Sequence, residues 1–213
     1  LAEDGGLFMP QEFARLSMTE ICAMRELPYC ERAITVLSRF LTDFTDAELK
    51  ECVAKAYGKD KLNGFPVPLR QVKNNVDVLE LWHGPTSAFK DMALQILPLL
   101  LTKAVKKTGE QMKLVILVAT SGDTGKAALA GFSDIPGTEV IVFYPEEGVS
   151  DIQKRQMITQ QGKNVHVIAV KGNFDDAQTG VKALFGDKNL ALELKEHNCS
   201  FSSANSINWG RLV

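Results

Sequence analysis

The 213-residue sequence is short of the features that mark several whole classes of protein. It has no apolar run near the roughly 18 residues a membrane helix needs. The longest candidate, 92–101, is interrupted by Gln95 and Pro98, so no membrane span is expected. Charge of one sign is not in excess. Lys+Arg 24 against Asp+Glu 26 leaves −2, which removes the electrostatic footprint of a nucleic-acid binder. Cysteine is sparse: Cys22, Cys30, Cys52 and Cys199 form no CxxC and no ligand-like spacing, so no metal site is expected. Three of the four lie in helically patterned stretches and read as buried free thiols, which fits a reducing, cytoplasmic setting. A basic-then-apolar leader is missing from the opening Leu-Ala-Glu-Asp-Gly-Gly. No GxGxxG follows an apolar run, and Gly125-Lys126 is followed by Ala127, so dinucleotide and P-loop fingerprints are both absent.

What is present is an ordinary globular composition, 45% hydrophobic and 23% charged, enough for a buried core. The first 76 residues read as a small, mostly helical domain. Ile34, Leu37 and Leu41, then Leu49, Val53 and Ala56, recur at helical spacing. Thr45 to Glu48 (TDAE) is a capping box, in which the hydroxyl and the carboxylate each satisfy an orphan N–H. Residues 60–70, with Asn63-Gly64, Pro66 and Pro68, read as an irregular connector.

From residue 77 to 213 strand and helix alternate. Strands are expected at 78–82, 114–119 (LVILVA), 139–144 (EVIVFY), 165–170 (VHVIAV) and, less apolar, 199–203; helices at 87–106, 125–132, 151–161 and about 175–185. Continuously apolar strands separated by helices point to an α/β fold with a parallel sheet covered on both faces. The last residues, 208–213, read as a helix just starting, so the chain is expected to be truncated at its C-terminus.

Ligands of such sheets sit beyond the carboxyl ends of the strands. Two of the segments leaving those ends are informative. Thr120-Ser-Gly-Asp-Thr-Gly125 combines small hydroxyls with free N–H groups at a helix start, which suits a carboxylate or phosphate. An ordinary strand–helix turn, with Asp123 or Thr124 capping, explains the same residues equally well. Lys90 stands beside Phe89 near the start of an apolar helix. Burial there would lower its pKa and free an amine for a Schiff base. A solvated helix lysine is the commoner case.

The two segments occur together with others. His83-Gly-Pro-Thr-Ser-Ala-Phe-Lys-Asp91, Ala119-Thr-Ser-Gly-Asp-Thr-Gly125 and Asn205-Ser-Ile-Asn-Trp-Gly-Arg211 closely resemble the threonine synthase family, in order along the chain. Asp4-Gly-Gly-Leu-Phe-Met-Pro and Gln153-Lys-Arg-Gln-Met resemble it as well. The resemblance implies a fold type II (tryptophan synthase beta-like) enzyme dependent on pyridoxal 5'-phosphate (PLP). Residues 112–200 would then form a smaller mobile domain. Lys90 would hold PLP and serve as base, with Thr86 and Phe89 beside the cofactor. Thr120, Ser121, Gly122, Asp123, Thr124 and Gly125 would receive the substrate carboxylate, and Asn205 and Arg211 would also meet substrate. Asp123 would repel a carboxylate, so it is expected to cap the helix or organise the loop. His83 and Asp91 belong to the lysine motif, as fixtures of its turn or its helix. His166 and His197 read as surface residues.

The implied reaction converts O-phosphohomoserine and water to threonine and phosphate. A phospho-lyase releasing 2-oxobutanoate and a non-catalytic homologue are the alternatives. The family's loop for the PLP phosphate and its partner for the ring nitrogen would lie outside these residues.

Overall fold

The computed structural model describes residues 10–62 and 67–204. They divide between Ala54 and Lys55 into two compact units. The first contains α1 (Met18–Met24), α2 (Tyr29–Leu37) and most of α3 (Asp46–Tyr57). Its helices start on side-chain caps. Ser17 Oγ accepts the Glu20 N–H at 3.2 Å while Glu20 takes the Ser17 N–H at 2.8 Å, and Glu20 also pairs with Arg39. The Thr45–Glu48 box closes as expected, at 2.8 and 3.3 Å. Such caps are each worth about 1 kcal/mol. Arg32 donates to the carbonyls of Leu27 and Arg25, tying the α1–α2 turn to α2. Ala33, Leu37, Leu49 and Val53 are buried. Cys52 is buried and in no disulfide, but Cys22 is exposed and Cys30 and Cys199 are only half-buried. The α1 helix has no buried residue, so helical periodicity there did not imply burial.

In the second unit, Tyr57 donates its hydroxyl to the Met92 carbonyl at 2.6 Å. The connector expected at 60–70 contains more structure than that. A short α4 (Lys59–Leu62) precedes β1 (Leu69–Lys73). β1 pairs antiparallel with β2 (Val76–Leu79). The strand expected at 78–82 is therefore corrected: it is half of a hairpin and no part of the parallel sheet. The reason is the tight turn at Asn74-Asn75, where Asn75 takes φ 59. Asparagine tolerates that left-handed conformation, so the preceding segment folds back and uses β2's backbone groups.

The single helix expected at 87–106 is also two: α5 (Asp91–Leu94) and α6 (Leu97–Thr108). Pro98 has no N–H to give Leu94, four residues before it, so the ladder cannot pass that point. Glycine at 131 lets the neighbouring helix approach the same Leu94 carbonyl, where any Cβ would collide.

The main sheet is formed by β3 (Lys113–Ala119), β4 (Thr138–Pro145), β5 (Val165–Val170) and β6 (Cys199–Ser203), in spatial order β5-β4-β3-β6 with every pair parallel. Crossovers run through α7 (Asp123–Phe132), α8 (Asp151–Ile158), α9 (Phe174–Gly186) and α10 (Lys188–Glu196). The last of these helices was not anticipated. One face of the sheet (Ile116, Val118, Val140, Val142) packs with Leu94, Leu97, Leu129, Phe132 and Met157. The other (Val115, Leu117) meets Val181, Leu184, Phe185 and Phe201. Burying each large side chain contributes about 1.5–3 kcal/mol, which is why β3 is apolar on both sides. Among the described residues, no helix is long and apolar enough to cross a membrane, and no His/Cys/Asp/Glu cluster could hold a metal.

Candidate active site

Two loops define the site, one before α5 and one between β3 and α7. In the first, the chain turns sharply at 84–87. Ser87 adopts φ 56 and donates its N–H to the Gly84 carbonyl at 3.1 Å. The turn is fastened from below by Asp91, which is fully buried. Asp91 Oδ2 accepts the Thr86 N–H at 2.9 Å and Oδ1 accepts the Thr86 hydroxyl at 2.7 Å. Gly84 leaves room for that carboxylate, since a Cβ there would overlap it. Burial raises the Asp91 pKa; the bonds from Thr86 and Ala88 and the charge of Lys126 oppose the rise.

Lys90 precedes this helix and is half-buried. Its Nζ lies 4.4 Å from the centroid of the Phe89 ring, itself about half exposed. Burial pushes the Lys90 ammonium below the usual lysine range, while the Asp123 carboxylate pulls it back up. The Lys90 amine and the first residue of α7 therefore feel each other's charge. His83 is engaged within its own turn. Its Nε2 meets Glu80 Oε2 at 2.7 Å and its ring stacks on Trp82, so it fixes the turn after β2.

In the second loop Thr120 is buried and faces inward. Its Oγ1 accepts the N–H groups of Gly122 and Gly125, both at 2.9 Å. Sequence reasoning counted this hydroxyl among outward anion contacts. Its oxygen instead organises the loop, because a threonine at the strand end can satisfy two N–H groups that helix geometry leaves open. The N–H groups of Ser121, Asp123 and Thr124 have no acceptor among the described residues, and Ser121 is exposed. Gly122 takes φ 144, and a Cβ there would stand 2.5 Å from the Gln153 side chain. Asp123 is the first residue of α7 and makes no cap. Its Oδ1 accepts Gln153 Nε2 at 2.8 Å and meets Lys126 Nζ at 3.2 Å. Of the two expectations for Asp123, the helix cap is not formed.

Three supporting residues were missed from sequence. Lys126 is buried on α7, Gln153 braces the anion loop from α8, and Gln156 donates to the Thr86 carbonyl at 3.2 Å. The (i, i+3) spacing of Asp123 and Lys126 was the signal for Lys126, and the family-like 153–157 segment was the one for Gln153 and Gln156. Ser150 is the α8 N-cap, accepting from Gln153. His166 bonds Glu139 on the surface, and His197 is exposed at the end of α10. Asn205, Ser206, Asn208 and Arg211 lie outside the described residues, as does most of the 4–10 segment.

The site thus combines a half-buried amine with a loop whose N–H groups at Ser121, Asp123 and Thr124 are open among the described residues. The chain is similar to known proteins along its whole length. The family model described as threonine synthase N terminus matches residues 1–57. A threonine synthase of Pseudomonas aeruginosa is 42% identical over the whole chain, which covers 44% of that protein's length. Threonine synthase-like 1 of Homo sapiens is also 42% identical over the whole chain, covering 30% of that protein. Among solved structures, a PLP-bound threonine synthase from Brucella melitensis superposes with a TM-score of 0.86 at 39% identity, over 98% of this chain and 44% of that one. The chain thus spans less than half the length of these relatives. A second family model, covering residues 62–205 and so more than half of the sequence, is that of the pyridoxal-phosphate dependent enzymes, and the chain belongs to that family.

Proposed function

We propose that the protein carrying this chain is a threonine synthase, converting O-phosphohomoserine and water to threonine and phosphate in the cytoplasm. The observation that carries this reading is that α8 ties both loops, Gln156 to the Thr86 carbonyl at 3.2 Å and Gln153 to Asp123 at 2.8 Å, with the half-buried Lys90, its ammonium disfavoured by burial, feeling the Asp123 charge. The residues present fit PLP. A carbonyl cofactor needs a neutral amine, and burial lowers the Lys90 pKa. When bound, PLP supplies an aldehyde for amines and an electron sink for carbanions.

The chain's own residues have separate tasks. Lys90 Nζ first holds the cofactor, then takes the proton from the substrate α-carbon and returns it. Ser121, Asp123 and Thr124 bind the α-carboxylate through backbone N–H groups, with the Ser121 and Thr124 hydroxyls in support. Thr86 works through Asp91, holding the lysine segment in place; Phe89 flanks the amine. Asn205 and Arg211 complete the substrate contacts, Arg211 by pairing with phosphate. Residues 112–200 move as a smaller domain that brings the carboxylate loop to Lys90, excluding water early and admitting it late.

Product analysis of the full-length protein with O-phosphohomoserine tests the reading. Threonine and phosphate in equal amounts are expected. Accumulation of 2-oxobutanoate and ammonia would instead assign a phospho-lyase, and no turnover with PLP bound would assign a non-catalytic homologue.

A further inference from the structure

Lys126 is an unusual residue to find inside α7. It is 7% exposed, and its neighbours along the helix, Ala127, Ala128 and Leu129, belong to the core of the sheet. A buried ammonium persists only with counter-charges. Two are present. Asp123 Oδ1 lies 3.2 Å from Nζ, and the wholly buried Asp91 carboxylate feels the same charge from α5. The other hydrogen bonds to Asp123 and to the Thr86 carbonyl come from neutral amides, Gln153 at 2.8 Å and Gln156 at 3.2 Å, and the Lys90 ammonium also feels the Asp123 charge. The charged side chains of α8 are engaged or exposed elsewhere. Asp151 and Arg155 are exposed, and Lys154 lies over the Tyr144 ring. Lys126 is therefore paired with the acidic residue that opens α7 and feels the one that opens α5.

The acidic residue in the anion loop presents a problem that Lys126 answers. Asp123 stands between two of the N–H groups offered to a carboxylate, and a like charge there opposes binding. Its Oδ1 is engaged by Lys126 and Gln153 together. We propose that Lys126 is a positioning residue for substrate: its buried ammonium cancels the Asp123 charge and fixes that carboxylate away from the loop N–H groups, so that the loop accepts an amino acid carboxylate. The inference rests on the reading of 121–125 as the carboxylate loop.

The test is calorimetric binding of L-threonine to the full-length holoprotein. The wild type is compared with Lys126→Met, Lys126→Arg and the charge-balanced double variant Asp123→Asn with Lys126→Met. Asparagine keeps the oxygen that accepts from Gln153. PLP content and borohydride labelling of the Lys90 peptide are measured on each sample. Lys126→Met is expected to weaken L-threonine binding about tenfold or more while Lys90 is still labelled. Lys126→Arg stays within about threefold of wild type, and the double variant recovers most of the loss. Unchanged affinity in Lys126→Met overturns the proposal. So does a double variant as weak as Lys126→Met, which marks a packing role only. Should Lys126→Met fail to fold, the double variant decides alone: near-wild-type affinity supports charge cancellation and weak affinity refutes it. Loss of Lys90 labelling in the wild type is a different result, and removes the reading of the site itself.

Discussion

The Asp91 carboxylate grips Thr86 twice, taking its hydroxyl at 2.7 Å and its N–H at 2.9 Å, and so closes a five-residue turn with Lys90 one residue before the gripping side chain. Thr86→Val removes one of these donors and leaves Asp91 Oδ1 buried without it. An unsatisfied buried group costs about 1–3 kcal/mol, and urea unfolding should show a loss of that size. Thr86→Ser, which keeps the hydroxyl, should recover most of it.

The same carboxyl makes stability depend on pH in an unusual direction. Burial, only partly opposed by Thr86, Ala88 and Lys126, holds the Asp91 pKa above its ordinary 3.8. The folded state therefore binds that proton more tightly than the unfolded one. Asp91 costs stability above its folded pKa, and the cost fades as pH falls toward 3.8. Glu139 runs the other way. Burial raises its pKa, but bonds from Lys113 and His166 bring it below 4.5 overall, so its contribution is present above 4.5 and is lost as pH falls through the folded value. Replacing Asp91 by asparagine deletes the first dependence. The stability of Asp91→Asn relative to wild type should worsen as pH falls from 7 to about 3.5, over the window between the raised folded pKa and the ordinary value.

Gly122 permits the anion loop. Its φ of 144 strains any L side chain, and a methyl group would meet the Gln153 amide at 2.5 Å. Backbone strain of this kind costs about 1–3 kcal/mol. Gly122→Ala should displace Gln153 from Asp123 and weaken L-threonine binding about tenfold or more, read by calorimetry.

Asn164 offers a control far from the site. Its Nδ2 donates to the Phe132 carbonyl at 2.9 Å and to Thr138 at 3.1 and 3.2 Å, while Oδ1 accepts the Asp134 N–H at 2.7 Å. Asn164→Ala deletes these bonds, although the Phe132 carbonyl keeps the Ile135 N–H and the Thr138 hydroxyl keeps the Ile135 carbonyl, and should cost about 1–3 kcal/mol in unfolding experiments. Labelling of Lys90 should be unaffected.

The parallel sheet was legible because strands buried on both faces carry unbroken apolar runs, as 114–119 does. The hairpin was misread because 78–82 is also rich in apolar residues, Glu80 apart, yet it pairs with a polar strand, Leu69–Lys73, that has little strand signature of its own. The helix α10 hides in a charged stretch; its N-cap, Asp187 accepting from Asn189 and Leu190, was the available sign. In the site, Lys90 and the 121–125 loop were legible as motifs. The inward turn of Thr120 was not, since the same hydroxyl can serve a ligand or its own loop. The Thr86–Asp91 grip also escaped, because a contact across five residues and a left-handed Ser87 follows neither helical nor strand periodicity.

The account depends most on one amine. The full-length protein with PLP is reduced with borohydride and digested, and the modified peptide is sequenced. Attachment of one cofactor at Lys90 is predicted, with none in Lys90→Ala, which should keep its fold and lose turnover. Cofactor fixed on a different lysine, or a protein that takes up no PLP, would contradict the account.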